Sequence, residues 1–100
     1  MQEFLYRLQL VRGDMLRTAP TESEQAAVAE HFAYLKDLTA KGIVIFVGRT
    51  MTTDENTMGL AVFRAESEDA ARHIMNADPV VKTNVMTATL YPFKVVLQGK

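Results

Sequence analysis

Apolar side chains crowd the stretch from Phe4 to Val11 and stop at the breaker Arg12-Gly13-Asp14. So dense a run of aromatic and aliphatic residues predicts a strand. After "TAP", Thr21 and Glu24 take the spacing of a capping box, in which the hydroxyl accepts a backbone N–H left free at a helix start and the carboxylate reaches back to another. Val28, Phe32, Leu35 and Leu38 then recur at helical steps and line one stripe of a helix that ends at Gly42. His31 falls three residues after Val28 and four before Leu35, on or beside that stripe.

The next run, "GIVIFVG", is β-branched and too continuous for a strand with one buried side, and "MGLAVFRA", after the polar loop "TTDENT", is its hairpin partner. Ser67 caps a second, shorter helix, with Glu68 and Asp69 in its positively polarised first turn and Ala70, Ala71, Ile74 and Met75 turned inward. That helix ends near Ala77. In "NADPVV", Pro79 suits the first position of a further helical turn whose N-cap is Asp78. A last strand runs from Val85 into "TLYPFKVVL", where Pro92 restricts it to an edge or a bulge. The order strand, helix, strand, strand, helix, strand predicts an α+β, ferredoxin-like βαββαβ fold with a four-stranded antiparallel sheet. Right-handed crossovers put both helices on one face of it.

The other face is then bare. Two helices about 10 Å across cover four strands spaced about 4.8 Å apart only once. Yet both faces read as apolar: the first strand offers Phe4, Tyr6, Leu8 and Leu10 on one side and Leu5 and Val11 on the other, and the second offers Ile43, Ile45 and Val47 opposite Val44 and Phe46. A second identical chain packed sheet to sheet is the economical cover, with a fold-back of the C-terminal segment as the alternative. The expected partner is therefore another copy of the chain, in a homodimer.

Composition narrows the classes. With 100 residues, 48% hydrophobic and 23% charged, the chain suits one domain over residues 1–100. A net charge of −1 and a pI near 6.1 give no general attraction to phosphate backbones. RNA-recognition domains share this strand order, but Leu60 and Val62 stand where flat stacking rings would be needed, and Phe63 alone makes no platform. No nucleic-acid partner is expected. The N-terminal run mixes charges into a short apolar stretch, which argues against a membrane partner and for a cytoplasmic location. The absence of cysteine removes disulfides, thiolate nucleophiles and zinc–thiolate sites. The glycines at 42, 48 and 59 never form a dinucleotide fingerprint, and the two histidines have no metal-binding spacing, so no cofactor and no metal is expected.

Four residues remain as candidates for chemistry. An imidazole facing the sheet from an apolar stripe has two nitrogens to satisfy, and a carboxylate is its strongest partner. His31 can be such a satisfied structural residue, or a general acid or base near neutral pH. Asp78 can be a plain cap, stabilising by about 1 kcal/mol. Both helices lie on one side of the sheet, so the two can also meet, the carboxylate fixing the tautomer of the ring. Arg49, at the end of the second strand, can be a solvated charge or can hold a carboxylate or phenolate of a small organic substrate. Arg7, mid-strand among apolar neighbours, needs an acidic partner from a neighbouring element or the second copy, and is the weaker candidate for binding substrate. His73, between Arg72 and Asn76 on an outer helix face, has no role; Met75 and Met86 are packing residues.

The segments "EHFAYLKDLTAKGIVIFVGR", "NADPVV" and "LYPFKVVL" together resemble the YciI-like (YCII-related) family, and the likeness spans nearly the whole chain. The resemblance implies a dimeric α+β barrel and a His–Asp catalytic dyad, carried here by His31 and Asp78. It further implies an acid–base enzyme of lyase, isomerase or eliminating type acting on a small organic molecule. The chain departs from the family pattern where Arg49, not proline, follows Gly48. A non-catalytic ligand-binding or accessory module of the same fold, with the pair buttressing helix against sheet, is the alternative; cofactor-free oxygenation, as in other dimeric barrels, is a third.

Overall fold

A β-strand, Gln2–Leu10 (β1), runs through the interior of the sheet with its alternate residues Phe4, Tyr6 and Leu8 buried. In the computed structural model, which describes residues 1–12, 19–54 and 56–99, it is followed by helix α1 (Glu22–Ala40), strands β2 (Val44–Arg49) and β3 (Met58–Ala65), helix α2 (Glu68–Ala77), the single turn α3 (Pro79–Lys82) and strand β4 (Met86–Phe93). The four strands lie in the order β2-β3-β1-β4, and every pairing is antiparallel. This is the ferredoxin-like arrangement. Pro92 falls on the edge strand β4, where its missing N–H breaks no ladder. The turn expected at Gly13 and Asp14 lies outside the described residues, as does Glu55 of the polar loop.

The helix ends follow the local chemistry. Glu24 donates its backbone N–H to the Thr21 hydroxyl at 3.1 Å, and the Glu24 carboxylate accepts from the Thr21 N–H at 2.8 Å, which completes the capping box. Arg12 grips the same carboxylate through both Nε and Nη2, at 3.0 and 2.6 Å, and so ties the end of β1 to the start of α1. At the far end Gly42 takes φ +78°, a conformation that costs glycine little, and the Gly42 and Ile43 N–H groups donate to Thr39 and Leu38.

Packing corrects the sequence reading in two places. The buried line of α1 is Ala27, His31, Leu35 and Leu38, so His31 sits at its centre while Phe32 is 58% exposed. On β2 the pairing with β3 slips between Val44 and Phe46, which oppose the consecutive residues Phe63 and Val62. The bulge at Ile45 resets the alternation. Val44 and Val47 therefore share the helix side, opposite Phe63 and Ala61, whereas Phe46 joins Val62 and Leu5 on the other face. Phe63 is fully buried beneath the helices, with Tyr6 edge-on at 5.5 Å and Phe4 at 6.1 Å.

The second face of the sheet carries Leu5, Arg7, Phe46, Leu60, Val62, Tyr91 and Phe93, of which Phe46, Tyr91 and Phe93 are exposed. Beyond β4 the Val95 N–H donates to Glu3, but Val96 and Leu97 stand exposed, so the C-terminal segment does not close over this face. Among the described residues no helix is long and apolar enough to cross a membrane.

The Arg12 guanidinium, followed by the Thr21 cap, draws the Glu24 carboxyl down from 4.5 to about 2. A carboxyl depressed in the folded state contributes stability that is present above its unfolded value and lost as pH falls through the folded one. Urea titrations should therefore show stability declining between pH 4.5 and about 2, and Glu24→Gln should flatten that part of the profile while lowering stability at neutral pH.

Candidate functional site

Asp78 occupies the corner where α2 gives way to α3. Pro79 disfavours the helical region for the residue before it, and Asp78 leaves the helix at φ −63°, ψ 126°. Its backbone N–H closes α2 on the Met75 carbonyl at 3.2 Å, and its side chain accepts the Val80 N–H at 3.2 Å as the N-cap of α3. The residue is thus the cap that the sequence predicts.

It is also more than a cap. The Asp78 side chain is completely buried, and His31 approaches from α1 across 47 positions of sequence, with Nδ1 at 2.7 Å from Oδ1 and 2.8 Å from Oδ2. From β1 the Tyr6 hydroxyl donates to Oδ2 at 2.7 Å. One carboxylate therefore collects donors from a strand, a helix and a backbone N–H. Sequence reasoning missed Tyr6, which reads as core. The signal was the residue type: a tyrosine at a position facing the helices must find a partner for its hydroxyl.

Burial, and after it the negative charge of Asp78, pushes the Tyr6 hydroxyl far above its ordinary value, so it stays a protonated donor. Tyr34 on α1 is raised in the same way, first by burial and then by Asp78, and its hydroxyl is spent on the Ile74 carbonyl at 2.7 Å.

The His31 ring forms part of the wall of a cavity of about 480 Å³ between α1 and the sheet. Leu8, Val28, Phe32, Leu35, Ala61 and Met86 make its surface largely apolar. The polar side chains on it are His31, Arg49 and Thr57, and the Thr57 hydroxyl is already committed to the Thr52 carbonyl at 2.7 Å. Asp78 does not line the cavity; His31 both lines it and contacts Asp78. With Nδ1 held by the carboxylate, Nε2 has no hydrogen-bond partner among the described residues, and it is not among the buried unpaired atoms.

Arg49, opposite Gly59 at the end of β2, lies on the rim of the same cavity. Arg7 does not. Strand alternation turns it to the other face, where its guanidinium sits 6.0 Å from the Tyr91 ring and its Nε is buried without a hydrogen-bond partner. Its expected acidic partner is not among the described residues. The structure thus brings His31, Asp78 and Arg49 to one place and leaves Arg7 outside it. His73 is exposed on α2. Among the described residues no group of three or more histidines and carboxylates is arranged to hold a metal ion.

A model of the YCII-related domain matches residues 9–94. No curated protein sequence matches. Among solved structures, the chain is similar to the 5-chloro-2-hydroxyhydroquinone dehydrochlorinase TftG of Burkholderia phenoliruptrix AC1100, solved in complex with 2,5-dihydroxybenzoquinone: the identity is 24%, the match covers 92% of this chain and 93% of that one, and the TM-score is 0.67. It is also similar to SnoaB, a cofactor-independent oxygenase from Streptomyces nogalater, at 14% identity over 98% and 97% of the two chains, with a TM-score of 0.50. These likenesses speak to the fold, which is that of the dimeric α+β barrels.

Taking the acceptor away from a buried hydrogen-bond donor costs about 1–3 kcal/mol. Asp78→Ala takes away the acceptor of three donors together, so urea unfolding should show a loss within or above that range. A loss under about 1 kcal/mol would mean that the corner is not held by its carboxylate.

Proposed function

The chain belongs to the YCII-related domain family, and on that premise we propose that it is an acid–base enzyme acting on a small organic anion, with His31 as the proton-transferring group, Asp78 as its orienting carboxylate and Arg49 as the anchor for the negative charge. The observation that carries this reading is a single ring with two environments. His31 rests on a buried carboxylate through Nδ1 and borders an apolar cavity of about 480 Å³.

The chemistry follows from the geometry. A carboxylate accepting from Nδ1–H fixes the tautomer in which Nε2 carries the lone pair. That nitrogen can take a proton from a carbon or hydroxyl of a bound molecule, and Asp78 stabilises the imidazolium that results. Returning the proton to a different atom is an isomerisation; expelling a leaving group from the neighbouring carbon, with no proton returned there, is an elimination. The apolar walls keep water away from the ionised intermediate, while the Arg49 guanidinium offers a paired N–H fork to a phenolate, enolate or carboxylate oxygen. The likeness to a dehydrochlorinase bound to a dihydroxybenzoquinone fits this class.

Complete burial of Asp78 favours a second reading, in which the pair buttresses α1 against the α2–α3 corner in a non-catalytic ligand-binding module. Stability measurements do not separate the two, because a carboxylate with three donors is costly to remove in either case. Ligand and turnover measurements do. The protein should bind 2,5-dihydroxybenzoquinone with perturbation of the His31 ring signals and none of His73, and Arg49→Met should weaken that binding. With 5-chloro-2-hydroxyhydroquinone, chloride release should fall about 10²- to 10⁴-fold in a folded His31→Ala variant. Turnover that survives this substitution intact would leave the module.

The second face of the sheet is the proposed interface with another copy of the chain. Exposed Phe46, Tyr91 and Phe93 flank Leu5, Leu60 and Val62, and the unpaired Nε of Arg7 calls for an acceptor that the described chain does not offer. Sedimentation should report a dimer, and Phe46→Asp should yield a monomer with an intact circular-dichroism spectrum. A monomeric parent protein would remove this interface.

A further inference from the structure

Position 6 faces the helices between Phe4 and Leu8, where a phenylalanine would pack as its neighbours do. A tyrosine stands there instead, 1% exposed, with its hydroxyl 2.7 Å from Asp78 Oδ2. It is not part of the cavity wall, so it touches no bound molecule and acts through Asp78.

The carboxylate divides its acceptor capacity in a definite way. Oδ1 receives the Val80 N–H at 3.2 Å, Oδ2 receives the Tyr6 hydroxyl at 2.7 Å, and the His31 Nδ1 lies nearly midway, at 2.7 and 2.8 Å. Each neutral donor takes up some of the negative charge and makes the carboxylate a weaker base. We propose that Tyr6 is a positioning residue for His31: by holding part of the charge of Asp78, it loosens the grip of the carboxylate on the Nδ1 proton and sets the pH at which the imidazole changes charge. Its part in turnover rests on the acid–base reading of His31, whereas the electrostatic coupling stands without it.

The other groups around the pair leave this role to Tyr6. From α1 the Tyr34 hydroxyl is committed to Ile74, and from β2 Arg49 lies on the rim of the cavity as a fixed positive charge that no change at position 6 alters. The buried residues supplied by β3, β4, α2 and α3 are apolar, apart from Asp78 itself at the junction of the two helices.

The test follows the pH titration of the His31 ring by NMR in the full chain, with exposed His73 as internal reference. Tyr6→Phe keeps the ring and removes the donor, so the carboxylate becomes more basic and the imidazolium is favoured. The His31 midpoint should move up by about 0.5 to 1 pH unit, with His73 unmoved, while Tyr34→Phe leaves both in place. An unchanged or lowered His31 midpoint in Tyr6→Phe, or an equal rise in Tyr34→Phe, overturns the proposal. Should Tyr6→Phe fail to fold, 3-fluorotyrosine placed at position 6 retains the hydroxyl as a stronger donor. The midpoint should then fall, and a rise or no change is the overturning result. Because no substrate enters the titration, a His31 without catalytic function still reports the coupling, and a missing coupling leaves the turnover test of His31 standing.

Discussion

Burying one negative charge is the constraint around which this structure is arranged. A carboxylate withdrawn from water is tolerated only when its lone pairs are occupied, and Asp78 draws those donors from β1, α1 and the first turn of α3. These elements are far apart in sequence, with 72 positions between Tyr6 and Asp78 and 47 between His31 and Asp78. The contact therefore exists only once the sheet, the long helix and the α2–α3 corner have docked. Pro79 contributes by forcing the chain out of α2 at that residue, which lets the side chain cap α3 from inside the protein rather than from its surface.

The same strand that supplies Tyr6 shows how one period-two pattern serves two purposes. Phe4, Tyr6 and Leu8 turn toward the helices and build the core and the pair; Leu5 and Arg7 turn away and, with Val62 and the exposed aromatic rings of β2 and β4, form the apolar face assigned to a second copy. A shift of one residue in the pairing of β1 would exchange these sets and place Arg7 under the helices. Register, the exposed apolar face and the site are thus one specification. The bulge at Ile45 belongs to it too, because it puts Val47 and Arg49 on the helix side, where both border the cavity, and sends Phe46 to the opposite face of the sheet.

Much of this was legible in the sequence because its signals are local. The Thr21–Glu24 capping box, Ser67 before two acids, and Asp78 before Pro79 each act within four residues, and each cap forms as read. Topology allowed His31 and Asp78 to meet, since both crossovers place their helices on one side, and the family resemblance named them as a pair; the structure joins them at 2.7 Å. What could not be read depends on contacts across the sheet. Strict alternation along β2 put Ile43, Ile45 and Val47 on one side, and nothing in "GIVIFVG" announces the slip against β3. The helical stripe was drawn through Val28, Phe32, Leu35 and Leu38 with His31 on or beside it; Leu35 and Leu38 are buried as read, whereas the sheet takes Ala27 and His31 in place of Phe32, which lines the cavity and is 58% exposed. Hydropathy hid Tyr6, because only a three-dimensional neighbour gives its hydroxyl a purpose.

Adhesion at this corner does not by itself require a carboxylate and an imidazole. Buried ionic contacts often contribute no more than well-packed apolar residues of the same volume, so a fold needing only adhesion at this corner would be served as well by leucine and phenylalanine. Nor does the cap require the imidazole, since the Val80 N–H would be satisfied by an exposed Asp78 accepting from that group alone. The distinctive feature is asymmetry among the donors. Tyr6 is 1% exposed and spends its only hydroxyl inside, the Val80 N–H has nothing further to give, and His31 alone possesses a second nitrogen, on a ring that borders a cavity. A charge enclosed behind that ring, with its lone pairs shared among three donors, leaves His31 as the one residue, among those described, that touches both the carboxylate and the cavity.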